Sequence, residues 1–248
     1  PANDERYHYV LMGMYGRSGI EAQYNSLLEG VPGCQLLRVD VSGYRRVELQ
    51  GTEPKPGRDL NLTLDAALQR ELERALAGQV GAGVVLDTRN GDVLALASAP
   101  AFDPNTLSPA PTRAHWLALQ RSPGQALFNR AIQGRYPPGS TFKMVVALAA
   151  MGVDGFDPGA TYACAGTYEL NPRPISCAFN EHHGEVGLRE ALRVSCNGYF
   201  CQTAAAIGAE PIRRMARVLG LGERTGIDLP GEEEGLVPDE ARKRAIYR

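Results

Sequence analysis

The feature that most constrains the fold is a run of apolar residues that directly follows a rigid, proline-rich turn. Residues 136–139 read Tyr-Pro-Pro-Gly, and both proline and the residue before a proline disfavour helix. Residues 140–151, which come next, are mostly apolar with no polar face, so they predict a helix that is buried all round. A chain with such a helix must fold as a globular domain thick enough to surround it.

The composition agrees with a globular domain and excludes several other classes. The chain has 248 residues, of which 44% are hydrophobic and 22% are charged, so it can bury a core and is not disordered. Its 26 Lys and Arg residues nearly balance 28 Asp and Glu residues, which excludes a strongly basic surface for nucleic acid. The longest apolar stretch, residues 144–153, is too short to cross a bilayer, and the polar residues 1–5 do not resemble a signal peptide.

Hydrophobic periodicity and turn signals predict a mixture of helices and strands, so the expected fold class is α/β or α+β. One helix is expected to begin with Thr63 as its cap and Asp65 in its first turn. Asn90-Gly91 is a strong signal for a hairpin. Residues 157–186 are expected to be irregular. Further helices are expected at 20–28, 112–121, 188–194, 198–207 and 211–219, and hairpins at 36–49 and 82–98.

Ser140 and Lys143 form a Ser-x-x-Lys motif at the start of the apolar helix. Residues three apart lie on one face of a helix, so the hydroxyl and the ammonium group can meet. Burial lowers the pKa of a lysine, and a neutral lysine can take the proton of a serine nucleophile. Lysine is rare in this chain, occurring only at positions 55, 143 and 243, so its presence here is not a matter of abundance. The structural alternative is that Ser140 caps the helix and Lys143 lies on the surface.

A second motif, Ser195-Cys196-Asn197, lies between two predicted helices. Its serine can relay a proton and its amide can hydrogen-bond a substrate, and motifs of this kind accompany Ser-x-x-Lys in serine enzymes that react with penicillin. The alternative is that Ser195 or Asn197 caps the helix that follows.

Seven stretches resemble the class B, monofunctional penicillin-binding proteins, and they occur in the family's order across roughly residues 10–238. They are residues 17–24 (RSGIEAQY), 62–69 (LTLDAALQ), 82–91 (AGVVLDTRNG), 98–105 (SAPAFDPN), 136–143 (YPPGSTFK), 195–200 (SCNGYF) and 226–231 (GIDLPG). The Ser-Cys-Asn motif followed by Tyr199-Phe200, after His183-Gly184, favours the elongation type over the division type. The resemblance implies a transpeptidase fold like that of the serine β-lactamases. Residues 1–57 would be the end of an N-terminal pedestal domain of the dimerisation type, and residues 58–248 the N-terminal portion of the transpeptidase domain.

The resemblance also implies the chemistry, which is that of a peptidoglycan DD-transpeptidase that needs no catalytic cofactor. Ser140 would attack the D-Ala-D-Ala carbonyl of a stem peptide, and Lys143 would be its general base. Ser195 would relay a proton to the leaving amine, and Asn197 would contact the donor peptide. β-Lactams would acylate Ser140. The protein would act in cell elongation on the outer face of the cytoplasmic membrane, anchored by a helix not in this chain, beside a membrane glycosyltransferase.

One motif of the family, Lys-Thr-Gly or Lys-Ser-Gly, does not occur in the 248 residues. In the family its strand supplies an oxyanion-hole N–H, so the resemblance implies that this polypeptide by itself acylates slowly or not at all. Two other interpretations remain open. One is a DD-carboxypeptidase or serine β-lactamase that uses the same Ser140 and Lys143. The other is a non-catalytic scaffold for the glycosyltransferase, which would act through residues 1–57.

Three cysteines and a histidine are spaced as Cys164-x12-Cys177-x5-His183-x12-Cys196, which offers a Cys3His set for a structural zinc ion. His183 is preferred to His182 because His183-Gly184 matches the family's His-Gly. A Cys164–Cys177 disulfide and inert buried thiols are the competing interpretations. The remaining cysteines, Cys34 and Cys201, are expected in the core.

Overall fold

The computed structural model describes residues 15–39, 45–108, 110–170 and 174–239. Contacts divide the chain into two compact units, one of residues 1–134 and 227–232 and the other of residues 135–226 and 233–248. Both units mix helices with strands, as the expected α/β or α+β class requires. Within the described ranges no helix has the length and apolar character needed to cross a membrane.

Among its described residues, the first unit contains five α-helices and two antiparallel pairs of strands. In chain order they are α1 (Gly19–Gln23), α2 (Asn25–Leu28), β1 (Cys34–Val39), β2 (Arg45–Thr52), α3 (Ala66–Ala75), β3 (Gly81–Leu86), β4 (Val93–Ala99), α4 (Arg113–Gln120) and α5 (Arg130–Gln133). β1 pairs with β2, and β3 pairs with β4. The second pair confirms the hairpin that Asn90-Gly91 predicted, and Gly91 has the positive φ of 84° that such a turn needs.

The start of α3 differs from the sequence prediction by two residues. Asp65, not Thr63, is the N-cap, and its carboxylate accepts hydrogen bonds from the backbone amides of Ala67 and Leu68. Thr63 instead donates its hydroxyl to the Val93 carbonyl, which ties the chain before α3 to β4. Both residues are good helix caps, and the tertiary contact with β4 decides between them.

The part of the second unit that the structure describes contains four α-helices and four short strands. In chain order they are α6 (Phe142–Met151), β5 (Thr161–Cys164), β6 (Thr167–Tyr168), β7 (Ile175–Ser176), β8 (Gly184–Gly187), α7 (Leu188–Arg193), α8 (Asn197–Ile207) and α9 (Ala209–Val218). β5 pairs with β8 and β6 with β7, both antiparallel. Residues 157–186 are therefore not irregular throughout, because two strand pairs too short to give a periodic signal organise them.

The hydrophobic core of the second unit lies between α6, α7 and α8, and Tyr199 and Phe200 are its largest buried side chains. Tyr199 packs edge-on against Tyr162 and Phe200, with ring centroids 5.3 Å apart in each case. α6 is buried on one face only: Met144, Leu148 and Met151 are 58%, 44% and 59% exposed in the described part of the chain. The prediction of a helix buried all round is wrong for this structure.

Candidate active site and metal-binding cluster

The N-terminal end of α6 carries the Ser-x-x-Lys motif. Ser140 lies in a single 3₁₀ turn, Gly139–Thr141, that leads into the helix, and its side chain is exposed. Gly139 has a φ of +58°, which lets the chain turn from the proline-rich approach into the helix. The side chain of Ser140 does not cap α6, so the alternative interpretation of this serine as a helix cap is wrong.

Lys143 lies in the first turn of α6 and points into the second unit. Its Nζ donates to the Ser195 hydroxyl at 2.9 Å and to the Ser195 carbonyl at 2.5 Å. The same Nζ lies 5.9 Å from the centre of the buried Phe200 ring. Lys143 is therefore a half-buried residue with fixed partners rather than a surface lysine, and its hydrogen bonds go to Ser195 rather than to Ser140.

The surroundings of Lys143 favour its neutral form. Burial lowers its pKa, while negative charge on the nearby thiols of Cys177, Cys196 and Cys201 acts in the opposite direction. The net shift is downward, as a lysine that serves as a base requires.

Ser195 is held in an uncommon backbone conformation. Its φ is +52°, in the left-handed region that residues with a Cβ rarely adopt. Hydrogen bonds fix the turn on both sides: the Ser195 amide donates to the Leu192 carbonyl, and the Cys196 amide donates to the Ala191 carbonyl. Cys196 is the N-cap of α8, and its sulfur accepts from the Tyr199 amide at 3.3 Å. The cysteine between the two motif residues thus anchors the turn that presents Ser195 to Lys143.

Asn197 is the first residue of α8, and the residue that fixes its side chain, Ser176, belongs to none of the sequence motifs. Its Nδ2 donates to the main-chain carbonyl of Ser176 at 2.6 Å. Ser176 ends β7 and directly precedes Cys177, so Asn197 is tied to the segment that carries Cys177, one of the three cysteines of the predicted Cys3His set. A main-chain acceptor leaves no mark in the sequence, which is why only the tertiary structure identifies it.

The predicted cysteine and histidine set converges in space. One ligand atom from each of Cys164, Cys177, His183 and Cys196 lies within 4.8 Å of all the others. The Cys164 and Cys177 sulfurs are 3.6 Å apart, the Cys177 and Cys196 sulfurs 4.0 Å, and Cys164 Sγ lies 3.5 Å from His183 Nδ1. The three cysteines are buried, each at most 4% exposed. His182, by contrast, is exposed.

These three separations are close to those of a tetrahedral zinc site. With zinc–sulfur bonds of about 2.3 Å and zinc–nitrogen bonds of about 2.0–2.1 Å, tetrahedral geometry puts two sulfurs about 3.8 Å apart and a sulfur and a nitrogen about 3.6 Å apart. The four residues come from the end of β5, the loop after β7, the chain before β8 and the N-cap of α8.

The two other cysteines lie outside this set. Cys34, expected in the core, is instead exposed, and Cys201 is half-buried.

The sulfurs of Cys164 and Cys196 lie in different electrostatic environments. Burial acts to raise the pKa of the Cys164 thiol, but hydrogen bonds from the backbone amides of His183 and Gly166, together with the contact with the His183 ring, outweigh burial and lower it. Burial raises the pKa of Cys196, and the neighbouring sulfurs add to that rise, although the Tyr199 amide opposes it.

The chain belongs to the penicillin-binding protein transpeptidase family. Residues 81–247 match the penicillin-binding protein transpeptidase domain, and residues 2–62 match the penicillin-binding protein dimerisation domain. Within the family, its resemblance is to the class B penicillin-binding protein 2 of the elongation type, which confirms the resemblance seen in the sequence.

Three relatives illustrate that resemblance. The peptidoglycan D,D-transpeptidase MrdA of Acinetobacter baumannii is 34% identical over 233 residues, which are 93% of this chain and 35% of that protein. A structure of the complex between penicillin-binding protein PBP2 and MreC from Helicobacter pylori matches with a TM-score of 0.80 and 31% identity, over 94% of this chain and 44% of that one. A chain from a structure of a peptidoglycan synthase complex, which concerns the coordination of polymerization and crosslinking, matches with a TM-score of 0.75 and 36% identity. The match covers 92% of this chain and 43% of that one. The chain spans about 35–38% of the length of the curated MrdA proteins that it matches.

Proposed function

We propose that this chain carries the acylating residues of a serine-type peptidoglycan DD-transpeptidase that acts in cell elongation. The observation that carries the proposal is the position of Lys143, whose Nζ lies 2.9 Å from Ser195 Oγ and which follows Ser140 by one helical turn. Ser140, Lys143 and Ser195 thus supply a nucleophile, a base of lowered pKa and a hydroxyl that can pass a proton onward.

In the proposed reaction these residues act in turn. Ser140 Oγ attacks the carbonyl carbon of the penultimate D-Ala of a donor stem peptide while neutral Lys143 takes its proton. The tetrahedral intermediate then collapses, the C–N bond to the terminal D-Ala breaks, and Ser195 Oγ passes a proton from Lys143 to the leaving amine. Asn197 hydrogen-bonds the donor peptide. An acceptor amine attacks the acyl-enzyme, giving up a proton along the same route and restoring Ser140.

The partners and the location are proposed from the chemistry of Ser140 and from the complexes in which relatives are seen. Donor peptides ending in D-Ala-D-Ala and β-lactams both present an acyl carbon to Ser140. A relative is seen with MreC, and another in a peptidoglycan synthase complex, which supports a membrane glycosyltransferase of the elongation machinery as partner. The site would then face the outer side of the cytoplasmic membrane, held there by an N-terminal anchor helix. We propose a division near residue 57 between a pedestal domain and a transpeptidase domain; family matches that end at 62 and begin at 81 support a division in this part of the chain.

We further propose that Cys164, Cys177, His183 and Cys196 hold one structural zinc ion. Its four protein ligands would leave no open position, so the zinc would fix the fold rather than activate water. The support is the match between the observed sulfur and nitrogen separations and tetrahedral zinc geometry. Because Cys196 separates Ser195 from Asn197, the site would hold both motif residues in place.

The function is tested by covalent labelling with a penicillin, using the complete natural gene product. Intact-mass analysis should show one adduct, mapping to Ser140 and absent from Ser140→Ala. Ser26→Ala is the matched control, since Ser26 is an exposed serine in α2 of the other unit, and it should label like the natural protein. An adduct that persists in Ser140→Ala would contradict the assignment.

The lifetime of the adduct decides between reaction classes. A transpeptidase holds the penicilloyl group, whereas a serine β-lactamase releases it by rapid hydrolysis. The dimerisation-domain match at residues 2–62 favours the transpeptidase. Rapid recovery of free Ser140 would favour the β-lactamase instead, and no labelling at all in a folded protein would favour a scaffold.

A further inference from the structure

His183 has one ring nitrogen in the metal-binding cluster and another that the cluster does not use. Nδ1 is the atom that faces Cys164 Sγ, at 3.5 Å. Nε2 is buried and has no hydrogen-bond partner among the described residues. A buried ring nitrogen without a partner is uncommon and calls for a physical explanation.

The carboxylate of Glu181 is a candidate partner for this nitrogen, because its Oε2 lies 3.5 Å from His183 Nε2. This is longer than the roughly 2.7–3.2 Å of a good N–H···O hydrogen bond. The Glu181 side chain is 61% exposed, however, while that of His183 is only 10% exposed. The glutamate can therefore rotate to close the gap, and the histidine cannot.

The backbone places Glu181 on the required side of the chain. Phe179 and Asn180 both have left-handed φ values, 53° and 56°, which turn the chain back toward the cluster after Cys177. Glu181 is extended, with φ −63° and ψ 131°. Its carboxylate lies on the His183 side of the segment, at the 3.5 Å given above, while His182 lies against Gly166.

A second carboxylate, Glu190, is within electrostatic reach of His183 but is already engaged. Both of its oxygens accept hydrogen bonds from the Arg193 guanidinium, at 2.8 and 2.5 Å. Of the two glutamates, Glu181 is the one with a carboxylate oxygen at ion-pair distance from Nε2.

We propose that Glu181 is a positioning residue for the metal-binding cluster: it accepts the Nε2 hydrogen of His183 and thereby fixes Nδ1 as the metal ligand. The proposal rests on the zinc site proposed above. A carboxylate on the second nitrogen of a ligating histidine selects the tautomer, orients the ring and makes the ligating nitrogen more basic. Loss of such a partner typically weakens metal binding by about 10–100-fold.

The test measures zinc affinity of the purified chain by competition with a chromophoric chelator. Glu181→Ala should weaken zinc binding by about 10-fold or more, and Glu181→Gln by less, since its carboxamide oxygen can still accept the hydrogen. Glu185→Ala is the matched control, because Glu185 is an exposed glutamate of β8 equally close to His183 in sequence. It should bind zinc like the natural chain.

Long-range ¹H–¹⁵N NMR of the zinc-loaded chain supplies a readout that a merely structural role would not change. His183 should show a metal-bound Nδ1 and a protonated Nε2 whose hydrogen exchanges faster with water in Glu181→Ala. Zinc bound to Nε2, or equal affinities for Glu181→Ala and Glu185→Ala, would overturn the role of Glu181 alone. A natural chain that binds no zinc would overturn the metal site as well. Because Glu181 is exposed, the variants should fold, and Glu181→Gln carries the comparison if the alanine variant does not.

Discussion

At the scale of single residues, the candidate site depends on a lysine that is charged in water but is placed where charge is unfavourable. Lys143 is half-buried beside Phe200, and its two hydrogen bonds go to one residue, Ser195. Burial lowers the pKa of Lys143 below the 10.5 of an ordinary lysine. The fraction of neutral base at a given pH is therefore larger than for a surface lysine, and it grows as pH rises.

We expect the rate of penicillin acylation to rise with pH along a single titration whose apparent pKa lies below 10.5. Lys143→Arg should remove that titration and most of the rate, because arginine keeps the charge but does not lose a proton in proteins. The measurement is the acylation rate constant against pH for the complete gene product. Lys55→Arg, at an exposed lysine of the other unit, is the control and should leave the profile unchanged. A Lys143→Arg variant that acylates at the natural rate would mean that the base lies elsewhere.

At the scale of secondary-structure elements, the proposed zinc site depends on the segment between β5 and β8. Cys177 follows β7 and His183 precedes β8, so two short strand pairs position two residues of the proposed zinc site. The Cys177 amide donates to the Gly166 carbonyl, which closes the base of the β6–β7 hairpin. Gly166 has a φ of +85°, and a Cβ there would lie 2.8 Å from the Asn180 carbonyl oxygen. This glycine is required both for its backbone conformation and for close packing.

Gly166→Ala should therefore destabilise the second unit by more than Gly184→Ala does. Gly184 is also left-handed, with a φ of +67°, but a Cβ there meets nothing within 4 Å. Each substitution should incur about 1–2 kcal/mol for a left-handed residue with a Cβ. Gly166→Ala should add about 1–3 kcal/mol for the clash. Chemical denaturation of both variants measures the difference, and equal losses of stability would contradict the packing argument.

The helices of this unit show how far periodicity can be relied on. The predicted helices at 188–194, 198–207 and 211–219 occur as α7, α8 and α9, with ends that differ by at most two residues. α6 also occurs, but its exposed Met144, Leu148 and Met151 show that an all-apolar composition does not say which faces are covered. Strands of two to four residues, such as β6 and β7, are too short for alternation to be visible.

At the scale of the whole molecule, the proposed zinc site links three parts of the second unit that are far apart in sequence. Its ligands lie at the end of β5, on both sides of the 3₁₀ turn at Ala178–Asn180, and at the start of α8. A ligand that binds only the folded state stabilises it by mass action, by about 4 kcal/mol at a free concentration 1,000 times its dissociation constant. The unit is therefore expected to be markedly less stable without metal.

We expect one zinc ion per chain in protein purified without added metal, together with five free thiols after denaturation in chelator. Chelation should lower the thermal midpoint by several degrees and increase amide hydrogen exchange around residues 160–199, with little change around α3, β3 and β4 of the first unit. Cys164→Ser should lose the metal. Cys34→Ser, at an exposed cysteine outside the cluster, should keep it. Absence of zinc together with two missing thiols would establish the Cys164–Cys177 disulfide instead.

The family, the order of the helices and the residues that can carry chemistry could all be predicted from the sequence. Ser-x-x-Lys, Ser-x-Asn and the cysteine–histidine spacing are local patterns of side chains, so they can be recognised without coordinates. Three contacts became visible in the folded chain and not before. Lys143 contacts Ser195, the Ser176 carbonyl holds Asn197, and Glu181 rather than Glu190 lies at ion-pair distance from His183 Nε2. These contacts join residues through backbone carbonyls, left-handed turns and strand pairs of a few residues. Such features depend on where the chain returns in space, and a one-dimensional pattern of side chains contains no record of that.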